Sequence, residues 1–456
     1  MSVHEISARQ VRAIANGTCT AADLGVLVAG QRSKALAMLA LLVRTAEEAR
    51  HPGARAAAEG WRLLARVQRR APGAVEDLVR YPAVSAWATA ALLALGRPRT
   101  APSSAATPER LALVAAAAAM RGDVPCVIDL PPALCAGPFV HLVSLGSALL
   151  PAGLRGEAAV LRHGGAGTVI AGRHADILLP PRLDVDAPCW HALTPVTVGA
   201  GRTRLRLLID DADPHRLLGG QGPPPERLPA AQREAWARRL RGGWRLLARY
   251  HQQTAADVLT FVRMVTPLGG ERVSQSVTGR QAFGSISLSL PEDDVAAALT
   301  LAHEVQHVKL CALMDLVPLI GGPAPDLHYA PWRTDPRPLS CLVQGMFAHL
   351  EVARFWRRHR EVTPDPAEAH HASVEFARWR EACAEVGDVL STAAGLTKCG
   401  DTFVDGMIQV LRAWRHEYVP PGAQAQAERA ASEHRRQWDR RRLGRDNGGN
   451  DTGQRR

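Results

Sequence analysis

The sequence predicts an α+β fold that is predominantly helical, and three observations carry this. Alanine- and leucine-rich stretches at helical spacing fill the first 121 residues or so and return after about residue 229. Short β-prone runs broken by glycine and proline occupy the middle, from about Val124 to Ile209. A strictly alternating segment, Ser285 to Leu290, stands directly before a long apolar helix. The chain has 456 residues, 46% of them hydrophobic, so it can bury large cores; at roughly 150 residues per domain it suggests two or three domains.

In chain order, Lys34 to Ala49 and Ala83 to Leu95 are among the stretches that predict packed N-terminal helices. The runs Cys126 to Leu130, Val140 to Leu145, Asp176 to Leu179 and Leu205 to Ile209 predict a small sheet. His163-Gly-Gly-Ala-Gly-Thr168 resembles a phosphate loop only superficially; it lacks the lysine and reads as a turn. Leu218-Gly-Gly-Gln-Gly-Pro-Pro-Pro-Glu226 reads as a linker. This gives residues 1–218 as a helical and then β-containing region suited to recognising substrate or partner, residues 226–420 as a metal-binding catalytic domain, and residues 421–456 as a charged, disordered tail. Within the catalytic part, helices are expected from Pro229 to about Gln253, Ala255 to Val265, Pro291 to about Leu316, Leu339 to Arg358, Pro366 to Ala384 and Thr402 to His416.

The chemistry concentrates in His303-Glu304-Val305-Gln306-His307. Residues four apart on a helix share a face, so both imidazoles can reach one divalent ion, with a carboxylate beside them. Ile286, Leu288 and Leu290 alternate with Ser285, Ser287 and Ser289, as in a half-buried strand, and Pro291-Glu292-Asp293-Asp294 places proline and acids at a helix start. Leu301, Val305, Val308 and Ala312 form a packing stripe that excludes both histidines. The expected arrangement is a zincin-like strand followed by an HExxH helix.

Two histidines need a third protein ligand. His349 lies in the helical stretch from Leu339, with Leu342, Gly345, Met346, Val352, Ala353 and Trp356 on its apolar face. Glu351, two positions on, points about 200° away around the helix. Asp315, Asp326 and His328 are alternatives. Between the two helices, the proline-rich loop from Tyr329 to Pro338 carries Arg333 and Arg337. Either can grip a carboxylate through two parallel hydrogen bonds, or pair with Asp335 and stiffen the loop.

Four segments carry a family resemblance: Phe283-Gly-Ser-Ile-Ser-Leu-Ser-Leu-Pro291, Leu301-Ala-His-Glu-Val-Gln-His-Val-Lys-Leu310, Ala330-Pro-Trp-Arg-Thr-Asp-Pro-Arg-Pro338 and Gln344-Gly-Met-Phe-Ala-His-Leu350. Together they resemble the HEXXH-motif peptide-modification proteins, which act beside radical-SAM maturases of ribosomally made peptides. The likeness is specific over about Ala282 to Trp356 and diffuse elsewhere. It implies an iron(II)- and 2-oxoglutarate-dependent dioxygenase that hydroxylates a side-chain β-carbon of a precursor peptide. It further implies His303, His307 and His349 as iron ligands, and Arg337, or else Arg333, as partner of the 2-oxoglutarate carboxylate. Three protein ligands leave three octahedral positions, enough for a bidentate keto acid and dioxygen, although the usual non-haem triad includes a carboxylate. Glu304 then orients a ligand or water, or serves as general base.

The rival reading is a zinc metallopeptidase with Glu304 as base. The sequence after His307, Val308-Lys-Leu-Cys-Ala-Leu-Met314, lacks the Gly-x-x-His continuation of one large peptidase class. A non-catalytic peptide-binding relic fits less well, since the motif is intact.

Composition bounds the rest. The formal charge is +11, but lysine occurs only at positions 34, 309 and 398, and an arginine bias of this kind reflects a GC-rich genome more than a nucleic-acid surface. Eight scattered cysteines without a Cys-x-x-Cys pair fit a reduced cytoplasm. Neither a signal peptide nor an apolar run approaching a membrane span is visible, Leu111 to Met120 being the longest alanine-rich run. The partners that the resemblance implies are a precursor peptide and a radical-SAM maturase, and composition adds the expectation of no nucleic acid and no membrane.

Overall fold

Helix dominates the structure, a computed structural model that describes residues 4–96, 107–216, 227–268, 276–322 and 326–448. Of these described residues 59% are helical, with thirteen α-helices, and 14% lie in the strands of small sheets, a predominantly helical α+β fold. The linker expected at 218–226 lies outside the described residues. Contacts divide the chain into two interleaved compact units, one made of Val28–Trp244 with Phe261–Ala297, the other of Ser2–Leu27, Arg245–Thr260 and Ala298–Arg456.

The chain opens with α1 (Ala8–Asn16), where Ser7 and Gln10 form a reciprocal capping box and Gly17 closes the helix at φ +77°. Next come α2 (Ala21–Glu48), α3 (Ala54–Arg70), α4 (Pro72–Val79), α5 (Pro82–Leu95) and α6 (Leu111–Arg121). Proline opens α4 and α5 where its missing N–H costs nothing. Alanine at most positions of α6 lets neighbours approach from every side, and Leu111 to Ala119 are all buried.

The first unit carries three sheets where one was expected. Strands β1 (Cys126–Leu130), β2 (Phe139–Leu142), β3 (Gly146–Leu149), β4 (Ala159–Gly164), β5 (Gly167–Gly172), β6 (Asp176–Leu178) and β7 (Trp190–Ala192) make two antiparallel sheets, ordered β1-β4-β5-β6 and β2-β3-β7. The glycine-rich run at 163–168 is the turn of the β4–β5 hairpin, with Gly167 at φ +105°. The third sheet is mixed and ordered β11-β12-β10-β9-β8, from β8 (Thr194–Val198), β9 (Leu205–Ile209), β10 (Met264–Pro267), β11 (Ser276–Val277) and β12 (Ser285–Leu288). Between β9 and β10 run α7 (Ala230–Tyr250) and α8 (Gln252–Phe261).

Two boundaries differ from expectation for one reason. Met264 and Val265, read as the end of a helix, open β10, parallel to both β9 and β12. β12 in turn lies inside the sheet, between β10 and β11, and all four of its residues are buried, serines included, so both of its faces are covered rather than alternating. The core of this unit gathers Trp87, Trp190, Leu39, Leu42, Leu78 and Leu161, each contributing roughly 1.5–3 kcal/mol if aliphatic. It also encloses charge: the Tyr81 hydroxyl donates to Asp210 at 2.7 Å, and Arg110 pairs with Asp213 at 2.6 Å. Burial, and then the neighbouring Asp213, push the Asp210 carboxyl up to about 6.

The chain then enters α9 (Asp294–Met314), β13 (Leu327–His328), β14 (Arg337–Pro338), α10 (Leu339–Val362), α11 (Pro366–Ser391), α12 (Lys398–Trp414) and α13 (Pro421–Gly448). The segment from residue 421, expected as a disordered tail, is helical in α13 as far as Gly448: buried Ala423 and Ala427 pack with Val374 and Ala377 of α11. Its charge misled because most of its arginines lie on the solvent side. The expectation of no membrane-length apolar stretch also needs correction. Among the described residues α2 alone is long and apolar enough to cross a membrane, at mean hydropathy 1.5, while α4 and α5 qualify only together and are bent by 64°.

Candidate metal centre

α9 is enclosed nearly all round. Leu301, Val305, Val308 and Ala312 are buried as the stripe requires, but so are Glu304, Gln306 and Lys309, and on these turns His303 and His307 are the partly exposed positions. The enclosure makes room for a buried ion pair that the sequence did not announce. Lys309 Nζ meets Asp257 Oδ2 of α8 at 2.6 Å, both side chains 2% exposed, and Gln306 Nε2 donates to the same oxygen at 3.4 Å. The signal available was slight: Lys309 is one of only three lysines in an arginine-rich chain.

The helical spacing brings His303 Nε2 and His307 Nε2 within 3.2 Å, with ring planes at 71°. Two nitrogens bound to one ion at 2.0–2.1 Å, subtending 90–109°, lie roughly 2.9–3.4 Å apart, so the pair fits a metal. Glu304 Oε1 stands 3.9 Å from His303 Nε2, and one ligand atom from each of His303, Glu304 and His307 lies within 4.8 Å of the other two.

His349 comes from α10 and meets His303 edge to face, ring centroids 4.9 Å apart. It is not one of the three mutually close ligand atoms. Its Nδ1 lies 2.8 Å from the Gly345 carbonyl, and only a protonated Nδ1 can donate there, which leaves the Nε2 lone pair as the ligand atom. The ring is held between two indoles: Trp332 stacks on it at 4.5 Å and 12°, and Trp379 of α11 leans on it at 4.7 Å. Glu351 faces elsewhere, bonded to Thr254 and Arg354. The two indoles were not among the residues singled out from the sequence, because no spacing rule marks a wall.

The imidazoles are kept neutral, the form that binds metal. Burial, then the charge of His307, lower His303 to about 4 against the pull of Glu304. Burial likewise lowers His307, and it drives His349 well below the usual histidine range. His141 and His251 are also lowered by burial to about 4. A histidine whose folded pKa is depressed leaves the unfolded chain binding more protons between the two values, so stability falls as pH drops. Metal-free protein is therefore expected to lose stability from about pH 6.5 down toward pH 4, read as a falling urea midpoint. A flat midpoint across that window contradicts it.

The arginine loop is placed by β13 and β14, where His328 pairs with Arg337. Arg333 Nε and Arg337 Nη1 both donate to Asp335, at 3.2 and 3.0 Å. The structure thus shows the loop-stiffening pairing. The remaining ligand alternatives, Asp315 after α9, Asp326 before β13 and His328 on it, are outside the three-residue group.

The loop is braced from α13. The Tyr329 hydroxyl shares a hydrogen bond of 2.8 Å with His434 Nδ1, Trp438 meets the Tyr329 ring edge to face, and Arg435 lies over that ring at 3.5 Å. Arg441 donates to Thr334 at 2.6 Å.

Compared with known families and curated proteins, the chain matches none.

Gly345 has a role in this geometry beyond accepting the His349 proton. A Cβ there would lie 2.3 Å from the Trp332 ring. Gly345→Ala is expected to push the indole off His349, admit water, and return the His349 pKa toward 6.5, read from imidazole nitrogen shifts during a pH titration. An unchanged titration would show that the indole does not shield the ring.

Proposed function

We propose that the protein hydroxylates the β-carbon of a side chain in a ribosomally made precursor peptide, using iron(II), 2-oxoglutarate and dioxygen. The observation that carries the reading is the pair of Nε2 atoms 3.2 Å apart with a third imidazole beside them whose Nδ1 is tied to Gly345. The resemblance of segments 283–291, 301–310, 330–338 and 344–350 to the HEXXH-motif peptide-modification proteins supports the choice of chemistry.

In this reading His303, His307 and His349 hold iron through nitrogen, His349 after an approach of its Nε2 toward the pair. Iron(II), when bound, supplies the dioxygen chemistry that breaks a C–H bond. The protein's own part is placement. Arg337, or else Arg333, exchanges its bond to Asp335 for the distal carboxylate of 2-oxoglutarate, a bidentate partner for a guanidinium. Trp332 and Trp379 keep water from one side of the centre, and Glu304 orients the groups around it. The eight free cysteines support a cytoplasmic setting, with a radical-SAM maturase as partner on the same peptide.

A zinc peptidase is the second reading, favoured by one observation. Glu304 is buried with its carboxylate 3.9 Å from His303 Nε2, where a base that takes a proton from attacking water would stand.

Anaerobic reconstitution separates the two. Iron(II) followed by 2-oxoglutarate is expected to give a visible charge-transfer band that weakens in Arg337→Ala. No band, with tight stoichiometric zinc in the purified protein, overturns the hydroxylase in favour of the peptidase.

A further inference from the structure

We propose that the surface between α3 and the solvent face of the β1-β4-β5-β6 sheet binds an acidic, extended peptide segment. The antiparallel register sets Val127, Arg162, Val169 and Leu178 in one row across that face, and Asp129, Val160, Ala171 and Asp176 in the next. The opposite face supplies the core, with Ile128, Leu161 and Ile170 buried. Val127 remains 66% exposed and Leu178 63%, at the two edges of the face; between them the half-buried Val160, Val169 and Ala171 form a short apolar strip beside the exposed Arg162.

α3 forms a wall along this face. Two adjoining cavities, about 710 and 330 Å³, share Glu59 and Asp129 and run from the α3–β1 seam out over the strands. Both are open to solvent, as a groove for an extended segment would be.

The charge of the lining selects the occupant. Five arginines, at 55, 62, 66, 162 and 173, face Glu59, Asp129 and Asp176. Arg55 is engaged by Glu59 at 2.9 Å, and Asp176 accepts from the Gly172 N–H. Arg62, Arg66, Arg162 and Arg173 are exposed and have no ion pair among the described residues. Arg62 and Arg66 sit one helical turn apart, about 6 Å. Alternate side chains of an extended strand repeat at about 6.6–7 Å on one side. Glutamates two apart in an extended peptide therefore meet the two guanidinium groups, while the residue between them turns to the apolar strip. A nucleic acid would leave that strip unused, and no aromatic side chain lines the cavities to stack a base.

The inference does not depend on the chemistry at α9, so it is tested on full-length metal-free protein. The probe is a fluorescein-labelled twelve-residue peptide alternating glutamate and leucine, followed by anisotropy, with its lysine–leucine counterpart as control. Micromolar binding of the acidic peptide is expected, weakened at least tenfold by Arg62→Glu/Arg66→Glu and by 0.5 M salt. The milder Arg62→Gln/Arg66→Gln is expected to fall between, with circular dichroism and melting unchanged in both. Leu178→Asp, at the far edge, is expected to weaken binding as well. Equal affinity in the charge-reversed protein, equal binding of the lysine peptide, or tighter binding of oligothymidine than of peptide would each overturn the proposal.

Discussion

His307→Ala is expected to release the divalent ion and abolish activity, and His303→Ala to do the same. Each change removes one of two nitrogens that the helix holds 3.2 Å apart. What remains is one imidazole on α9 and His349 across from it, with Glu304 the only other buried donor in the group. Loss of a mere supporting partner around a metal costs 10–100-fold in affinity, and loss of a ligand from a site this small costs more. Metal content after dialysis against a weak chelator reads this directly, and retention of a full equivalent in either variant refutes the site. His349→Ala tests the third ligand separately from the pair: it is expected to lose activity too, and a fully active variant would reject His349 as third ligand while leaving the pair intact. Glu304→Gln distinguishes the chemistries. It abolishes a peptidase, which needs the base, and reduces a hydroxylase less.

Lys309→Met is expected to destabilise the protein by about 3–5 kcal/mol, because it leaves the Asp257 carboxylate buried without its cation. Both side chains are 2% exposed, the ammonium lies 5.3 Å from the centre of the Phe347 ring, and the other Asp257 oxygen has no hydrogen-bond partner. Water therefore has little room to compensate. Removing both charges is a different experiment: Lys309→Met with Asp257→Leu replaces an ion pair by apolar groups, which is often neutral, so the double variant is expected to recover most of the loss. Urea unfolding of the two single variants and the double one closes the cycle. If Lys309→Met unfolds at the wild-type urea concentration, the pair contributes nothing. The single variant should also disturb metal binding, since Lys309 and His307 share α9 and Gln306 shares the Asp257 oxygen.

What the sequence made legible was whatever local spacing controls. His303 and His307 share a face because four residues make about one turn, and that holds wherever the helix packs. Strands β1 and β9 fell where β-prone runs ended in turn residues. Periodicity failed where neighbours decide: β12 alternates serine with aliphatic residues yet is covered on both faces, and α9 has too little polar face to show which side is outward. The Asp257–Lys309 pair, 52 residues apart, and the Trp332–His349–Trp379 stack depend on which helices meet, and no single segment records that. The charged segment after 421 failed for a related reason, since two buried alanines against α11 and the buried Trp438 against Tyr329 dock a helix whose remaining surface is mostly polar.

The contacts between α13 and the arginine loop bear on how that loop opens. Tyr329 and Thr334, five residues apart in the loop, are both held by α13, through His434, Trp438 and Arg441, so the loop cannot swing out one residue at a time. Releasing it breaks two hydrogen bonds and a stacked cation at once, which places the opening nearer the cooperative than the fraying end of local fluctuations. The backbone amides of residues 329–335 and those of α13 should thus exchange with solvent at a common rate, as a single cooperative segment drawn from two distant parts of the chain.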